Sequence, residues 1–115
     1  MSRNAALGLL VAFLLILLLV MVRVSKAGTG DQLVRGFLCI HRYEGSWDAN
    51  TGNGYYGGLQ MDLSFQRAYG REFLAAFGTA NNWPIPIQIA VAIRAHLSGR
   101  GWGPWPNTAR RCGLT

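Results

Sequence analysis

The sequence predicts an α+β fold that is mainly α-helical, arranged as one small domain behind an N-terminal hydrophobic segment. Residues 5–22 are apolar at every position, a uniformity that a soluble core helix does not need. Apolar residues recur at helical spacing over residues 31–44 and again over 87–97. Glycine and asparagine dominate residues 50–60 and predict a short β-hairpin. A length of 115 residues allows one such domain and excludes a multidomain or polytopic protein.

The first 27 residues are expected to be an export segment, either a signal peptide or a membrane anchor. Residues 25–27, Ser-Lys-Ala, provide small residues at the spacing that a signal peptidase prefers. The apolar run 5–22 is also long enough to stay in the membrane as an anchor, and basic residues on both sides of it leave its orientation open. Both alternatives place the folded part, residues 28–115, outside the cytoplasm, either secreted or held at the membrane through residues 5–22.

The two cysteines, Cys39 and Cys112, lie near the two ends of the folded part. An even pair in a small exported domain indicates a disulfide rather than two unpaired thiols. Closing so long a loop lowers the entropy of the unfolded chain, which would stabilise the fold by roughly 4 kcal/mol. We therefore expect a Cys39–Cys112 disulfide.

The first predicted helix covers residues 31–44, with Asp31 as its N-cap and Gly45 as its stop. Glu44 is then the last residue of a core-facing helix, where the helix dipole is negative. The dipole and the apolar neighbours would both favour the protonated carboxyl, as a general acid requires. Taken alone, without the residues that follow it, Glu44 would be interpreted as a solvated charge or the partner of an arginine.

The remaining elements follow along the chain. An Asn-Gly pair within residues 50–60 is the expected hairpin turn. Two short helices are predicted over residues 63–69 and 71–77. Prolines precede residues 87–97, an apolar helix that we expect to be buried at the centre of the domain. The glycine- and proline-rich tail, residues 99–112, is expected to be a loop that returns the chain to the first helix.

Charge and the remaining motifs exclude several functions. The folded part, residues 28–115, contains eight arginines and five acidic residues, and this mild positive net charge of +3 suits an acidic or polyanionic partner. The arginines nevertheless form no run and match no nucleic-acid-binding motif, so we expect no nucleic-acid partner. His41 and His96 have no neighbours at metal-ligand spacing, and no serine lies in a nucleophile elbow. The sequence therefore implies neither a metal nor a cofactor.

The most specific pattern begins around Glu44. Residues 43–47 read YEGSW, and residues 50–60 read NTGNGYYGGLQ. Together with QIAVA at 88–92 and GWGPWP at 101–106, they resemble the transglycosylase-like domain of resuscitation-promoting factors, which are peptidoglycan-cleaving proteins of the lysozyme superfamily. The resemblance implies a small lysozyme-like fold and places the catalytic glutamate of the family on Glu44.

The sequence departs from that family at two places. The first cysteine of the family usually directly precedes the glutamate, whereas Cys39 lies five residues before Glu44. The family commonly reads Glu-Ser-Gly-Gly-Asn-Trp, and residues 44–47 are the shorter Glu-Gly-Ser-Trp. Residues 63–83 also match poorly, so side chains there cannot be carried over from the family.

The substrate contacts are expected among aromatic and amide side chains, because sugars stack on rings and hydrogen-bond to amides. Gln60 ends the glycine-rich turn and is the strongest candidate, whereas Gln88 rests on the resemblance alone. Core packing is an equally good explanation for each tryptophan. The expected substrate-binding residues are Tyr56, Gln60, Asn53, Trp47 and Gln88.

The expected activity is cleavage of the β-1,4 bond between N-acetylmuramic acid and N-acetylglucosamine in the glycan strands of peptidoglycan. A single acid at the site favours a lytic transglycosylase in which Glu44 acts first as acid and then as base. Two alternatives stay open: a lysozyme-type hydrolase with Asp48 or Asp62 as a base, and a non-catalytic peptidoglycan-binding module. We expect a monomer, with a peptidoglycan endopeptidase as a candidate protein partner.

Overall fold

The structure is a computed structural model that describes residues 8, 11, 12, 14 and 30–115. It divides into two compact units, Met1–Gln32 and Leu33–Thr115. Apart from those four residues, the expected signal or anchor segment, residues 1–27, lies outside the described residues. Within the described ranges, no helix combines the length and the apolar character needed to cross a membrane.

The domain consists mainly of α-helices joined by short turns. Helix α1 covers residues 30–44 in the described part of the chain. The short helices predicted over residues 63–69 and 71–77 are confirmed as α2 and α3. After α1, the elements in chain order are α2 (Leu63–Tyr69), α3 (Arg71–Phe77), a 3-10 helix (Ala80–Asn82), α4 (Ile85–Ala95), a π-helical turn (His96–Arg100) and α5 (Pro106–Arg111).

Two predictions about helix positions are wrong. Gly30 is already helical, so Asp31 lies inside α1 and is not its N-cap. The tail is not a loop throughout, because α5 forms within it. Pro106 occupies the start of α5, where its missing N–H costs nothing, and Thr108 and Ala109 on the same helix are buried.

Helix α4 packs against the domain through one face only. Ala90 and Arg94, within the range predicted for this helix, are exposed, so the helix is not enclosed at the centre of the domain as expected. The helix ends earlier than predicted and continues into the π-helical turn, where Gly99 has a φ of 109° that favours glycine. Its buried residues are Gln88, Ile89, Val91, Ala92 and Ala95.

Residues 50–61 form a compact turn in place of the predicted β-hairpin. Tyr56 makes isolated antiparallel bridges to Asn50 and Met61, and no longer ladder of strands forms over these residues. The chain reverses over residues 51–55, which include the Asn-Gly pair, and again more tightly at 57–60, where the Gln60 N–H donates to the Gly57 carbonyl. Several glycines here adopt positive φ, which interrupts strand pairing.

The core is centred on Phe37 of α1. The centroid of its ring lies 4.8 Å from that of Trp102 and 5.0 Å from that of Trp105. The Trp105 ring also contacts Phe65 of α2 at 5.6 Å, and its indole N–H donates to the Leu59 carbonyl at 2.8 Å. Trp105 is therefore both a core residue and a link between the C-terminal segment and the turn.

Two buried glutamines hold the turn against the helices. The Gln88 side-chain oxygen accepts from the Gly58 N–H at 2.9 Å. Its amide nitrogen donates to the carbonyls of Trp47 and Trp83 at 2.9 and 3.0 Å. Gln66 of α2 bonds in the same way to two further backbone groups. Because these amides satisfy buried backbone groups of the turn and of the segments packed against it, they fix the turn in its position.

Cys39 and Cys112 are joined by a disulfide with a Cα–Cα distance of 6.0 Å, which is usual for such bonds. Cys39 lies on α1 and Cys112 directly follows α5. The bond therefore fixes the helix that ends in Glu44 to the C-terminal helix, across a sequence separation of 73 residues.

Candidate active site

Glu44 is the last residue of α1, and Thr108 of α5 holds its carboxylate. The Thr108 hydroxyl donates to Glu44 Oε1 at 2.8 Å. The same hydroxyl lies 3.4 Å from the Trp105 carbonyl, a longer contact, so we assign its single proton to the glutamate. Thr108 is buried and Glu44 is half-buried. Glu44 Oε2 has no hydrogen-bond partner among the residues that the structure describes.

Residues next to this carboxylate line a cleft of about 450 Å³. Glu44 itself is not part of the lining, but two of its neighbours connect it to the cleft. Trp105, whose carbonyl lies near the Thr108 hydroxyl, forms part of the wall. Gln60 packs against Gly45, where a β-carbon would lie 3.2 Å from Gln60 Nε2. The lining residues are Tyr55, Gln60, Met61, Asp62, Ser64, Phe65, Ala68, Tyr69, Arg100, Pro104 and Trp105.

Gln60 is the predicted binding residue that the structure places in the cleft. Its backbone has a φ of 50°, which is uncommon for a residue with a side chain. Its side-chain amide nitrogen donates to the Gly57 carbonyl at 3.0 Å. This bond fixes the side chain over the turn, so the orientation of the amide is set before any ligand arrives.

Three other predicted binding residues lie outside the cleft lining. Trp47 stacks on His41, with ring centroids 3.8 Å apart, and this stack covers one face of the indole. Asn53 is exposed, and its side-chain oxygen accepts from the Tyr55 N–H at 3.0 Å. Tyr56 is half-buried at the centre of the two bridges. Their roles in the structure are those of local packing and turn formation.

Gln88 was also expected to contact substrate, and its position does not suit that role. Its side chain is completely buried, with 0% exposure. The amide already serves three backbone groups, as described above. A sugar could not reach it without unfolding the turn, so the structure assigns Gln88 to the scaffold of the site.

The sequence did not single out several residues that the structure brings to the site. Tyr55 and Tyr69 supply the accessible aromatic surface of the cleft, whereas Trp105 lines it with only 3% of its surface exposed. Thr108 holds the glutamate from a position 64 residues away in the chain. No local pattern marks Thr108, and the aromatic residues could be noted in the sequence but not distinguished from core residues.

Asp62 and Asp48, the two candidates for a second catalytic carboxylate, lie in different environments. Asp62 lines the cleft, and its Oδ1 accepts from the Phe65 N–H at 2.8 Å as the N-cap of α2. Asp48 is exposed and does not line the cleft. Within the described part of the chain, no three His, Cys, Asp or Glu side chains are grouped closely enough to hold a metal ion.

A small, mainly helical domain with one carboxylate at a helix end beside an aromatic cleft fits the class of lysozyme-like domains. Comparison with known proteins agrees with this class. The family model described as "Transglycosylase-like domain" matches residues 42–108, which is more than half of the chain. The chain therefore belongs to the transglycosylase-like family, and its domain is of the resuscitation-promoting-factor type.

Individual relatives of the chain are resuscitation-promoting factors. The chain is 47% identical over 70 residues to resuscitation-promoting factor Rpf1 of Corynebacterium glutamicum, covering 61% of this chain and 35% of that protein. It is 40% identical over 94 residues to Rpf of Micrococcus luteus, covering 79% and 37%. It is 42% identical over 67 residues to RpfE of Mycobacterium tuberculosis, covering 58% and 36%. The chain thus spans little more than a third of the length of these relatives.

Proposed function

We propose that this chain cleaves the glycan strands of bacterial peptidoglycan at the β-1,4 bond between N-acetylmuramic acid and N-acetylglucosamine, with Glu44 as general acid and base. The observation that carries the proposal is the Glu44 carboxylate, which is held at the end of α1 by Thr108 beside the 450 Å³ cleft. Membership of the transglycosylase-like family supports the same reaction. The place of action is outside the cytoplasm, with the protein secreted or held at the membrane by residues 5–22.

The bond from Thr108 gives the two oxygens of Glu44 different tasks. Because Oε1 accepts the Thr108 proton, the proton of the neutral acid belongs on Oε2. In the first step Oε2–H protonates the oxygen of the scissile bond as that bond breaks, and an oxocarbenium-like centre forms on the muramic acid. In the second step the carboxylate takes the proton of the muramic acid 6-hydroxyl, whose oxygen bonds to that centre. The product is a 1,6-anhydro sugar, and no water is consumed.

The cleft suits a chain of sugars. The rings of Tyr55 and Tyr69 offer faces on which the apolar sides of sugar rings can stack. The Gln60 amide, fixed by its bond to Gly57, offers hydrogen bonds to hydroxyl or N-acetyl groups. These contacts would hold the strand across the position of Glu44.

One observation favours a second candidate, a lysozyme-type hydrolase. Asp62 lines the same cleft, so a carboxylate is available to activate a water molecule or to stabilise the oxocarbenium-like centre. In that case the product would have a free reducing end. Against this alternative, one Asp62 oxygen is already occupied as the N-cap of α2.

Mass spectrometry of the soluble products tests both candidates. The full chain, purified in detergent, is incubated with isolated peptidoglycan beside the variants Glu44→Gln and Asp62→Asn. Gln keeps the oxygen that accepts from Thr108, so Glu44→Gln should fold and should release no products. We expect 1,6-anhydro products from the wild type and from Asp62→Asn.

If the wild type releases products with reducing ends and Asp62→Asn does not, the enzyme is a hydrolase and the transglycosylase assignment is wrong. Products from Glu44→Gln at the wild-type rate would refute the role of Glu44. If no variant releases products while all bind the wall, the domain is a binding module. Addition of a peptidoglycan endopeptidase, the expected partner, should raise the yield by removing peptide cross-links, and the oligomeric state measured by light scattering should be monomeric.

A further inference from the structure

Arg100 places a positive charge in the cleft. Among the residues that the structure describes, it is the only basic one in the cleft lining. It is the last residue of the π-helical turn and lies between Gly99 and Gly101, whose φ values are 109° and 54°. These left-handed conformations suit glycine and set the backbone from which the arginine side chain extends. The charge is therefore part of the cleft wall.

The aromatic wall of the cleft holds the guanidinium group. The Arg100 guanidinium carbon lies 5.8 Å from the centre of the Phe65 ring and 6.0 Å from that of Tyr69. Interactions with the side chains of Ser98 and Arg100 lower the pKa of the Tyr69 hydroxyl. The Ser98 hydroxyl donates its proton to the Ala95 carbonyl at 2.6 Å and lies 3.5 Å from the Tyr69 hydroxyl oxygen. The Arg100 guanidinium and Tyr69 thus lie together in the wall of the cleft.

Acids of the protein do not neutralise this charge. Within the described residues, Arg100 forms no ion pair, whereas Arg94 on α4 pairs with Glu72 on α3. Asp62 lines the same cleft, but its Oδ1 already accepts a hydrogen bond from the Phe65 N–H. A guanidinium group beside a hydroxyl, without a carboxylate partner, is suited to bind an anion from solution.

We propose that Arg100 and the Tyr69 hydroxyl form an anion subsite that binds a carboxylate carried by the muramic acid of the substrate. This inference rests on the proposed function and deepens it. The sugar rings of peptidoglycan are uncharged, so the negative charge of a strand comes from the stem peptide or, where the peptide has been removed, from the freed lactyl carboxylate. Both sources present a carboxylate, which a guanidinium group binds through charge-assisted hydrogen bonds. The domain would therefore prefer muramic-acid strands to neutral N-acetylglucosamine chains.

Equilibrium binding tests the subsite without the need for turnover. The full chain carrying Glu44→Gln is titrated with four soluble ligands by calorimetry. The ligands are peptide-bearing glycan strands, strands freed of peptide that keep the lactyl carboxylate, strands whose carboxylates have been converted to carboxamides, and chitin oligosaccharides. Adding Arg100→Gln should weaken binding of the peptide-bearing strands about tenfold and leave the two neutral ligands unchanged. Arg100→Lys should restore part of the loss, because it returns the charge without the planar fork.

Arg71→Gln is the matched control, since it removes the same charge from an exposed position outside the cleft lining. A loss with peptide-free strands would identify the lactyl carboxylate as the bound group, and a loss only with peptide-bearing strands would identify the stem peptide. The proposal is overturned if Arg100→Gln weakens charged and neutral ligands equally, if it has no effect, or if no strand binds. A failure of the proposed function would appear separately, as a wild-type protein that binds strands through Arg100 yet releases no products.

Discussion

Replacing Gln88 by leucine separates a scaffold role from a substrate contact. Gln88 is completely buried and serves one backbone N–H and two carbonyls. Leucine fills a similar volume but leaves all three groups without partners in the interior. Each such group costs about 1–3 kcal/mol, and the additional apolar burial offsets only part of that. We expect a net loss of about 3–5 kcal/mol, a large share of the 5–15 kcal/mol that is usual for a whole domain.

Urea unfolding of the full chain in detergent, followed by tryptophan fluorescence, measures this loss. Gln32→Leu makes the same chemical change at an exposed position and should leave the unfolding midpoint near that of the wild type. Any peptidoglycan cleavage by Gln88→Leu should fall in proportion to the unfolded fraction. An unchanged midpoint combined with a raised KM would refute the reasoning and return Gln88 to the list of substrate contacts.

Three further predictions concern stability. Serine at both positions of the Cys39–Cys112 disulfide should lower the free energy of unfolding by roughly 4 kcal/mol, because the bond closes a loop across 73 residues; an unchanged urea midpoint would contradict this. Gly58→Ala should lower the free energy of unfolding by about 1–3 kcal/mol, since a β-carbon there would clash with the Trp47 ring and lie 2.7 Å from His41 Nδ1. Thermal unfolding should show the loss. The Arg94 hydrogen bond lowers the pKa of Glu72 below 4.5, so the ion pair stabilises the fold above that pH and loses its effect as the pH falls through the lowered value. The small difference in Tm between wild type and Glu72→Gln should therefore be present at neutral pH and absent in strong acid, and a difference that grows in acid would contradict the assignment.

Local patterns were sufficient where neighbouring residues decide the structure. The end of α1 at Glu44 could be predicted because the glycine that stops the helix is adjacent to it. Helices α2 and α3 were predicted with their observed bounds. Helix α5 was missed because its stability depends on the burial of Thr108 and Ala109, which the tail sequence does not reveal.

The turn at residues 50–61 shows the limit of such patterns. The chain does reverse around its Asn-Gly pair, yet a second and tighter reversal at 57–60 was not predicted, and only isolated bridges form. The Gln88 side chain holds this segment through the Gly58 N–H, and Gln66 adds a bond to the Met61 carbonyl, which also accepts from the Tyr56 N–H. An amide far along the chain thus decided a conformation that the local residues alone left open.

The sequence by itself determined the helical character of the domain, the position of Glu44 at a helix end and the family to which the pattern around it belongs. Only the tertiary structure decided which side chains meet at the site. Thr108 holds Glu44 across 64 residues, and Arg100 joins Tyr69 in the wall of the cleft. The physical reason is that helix periodicity and stop signals act over a few residues, whereas packing and hydrogen bonding bring distant residues together only once the chain has folded.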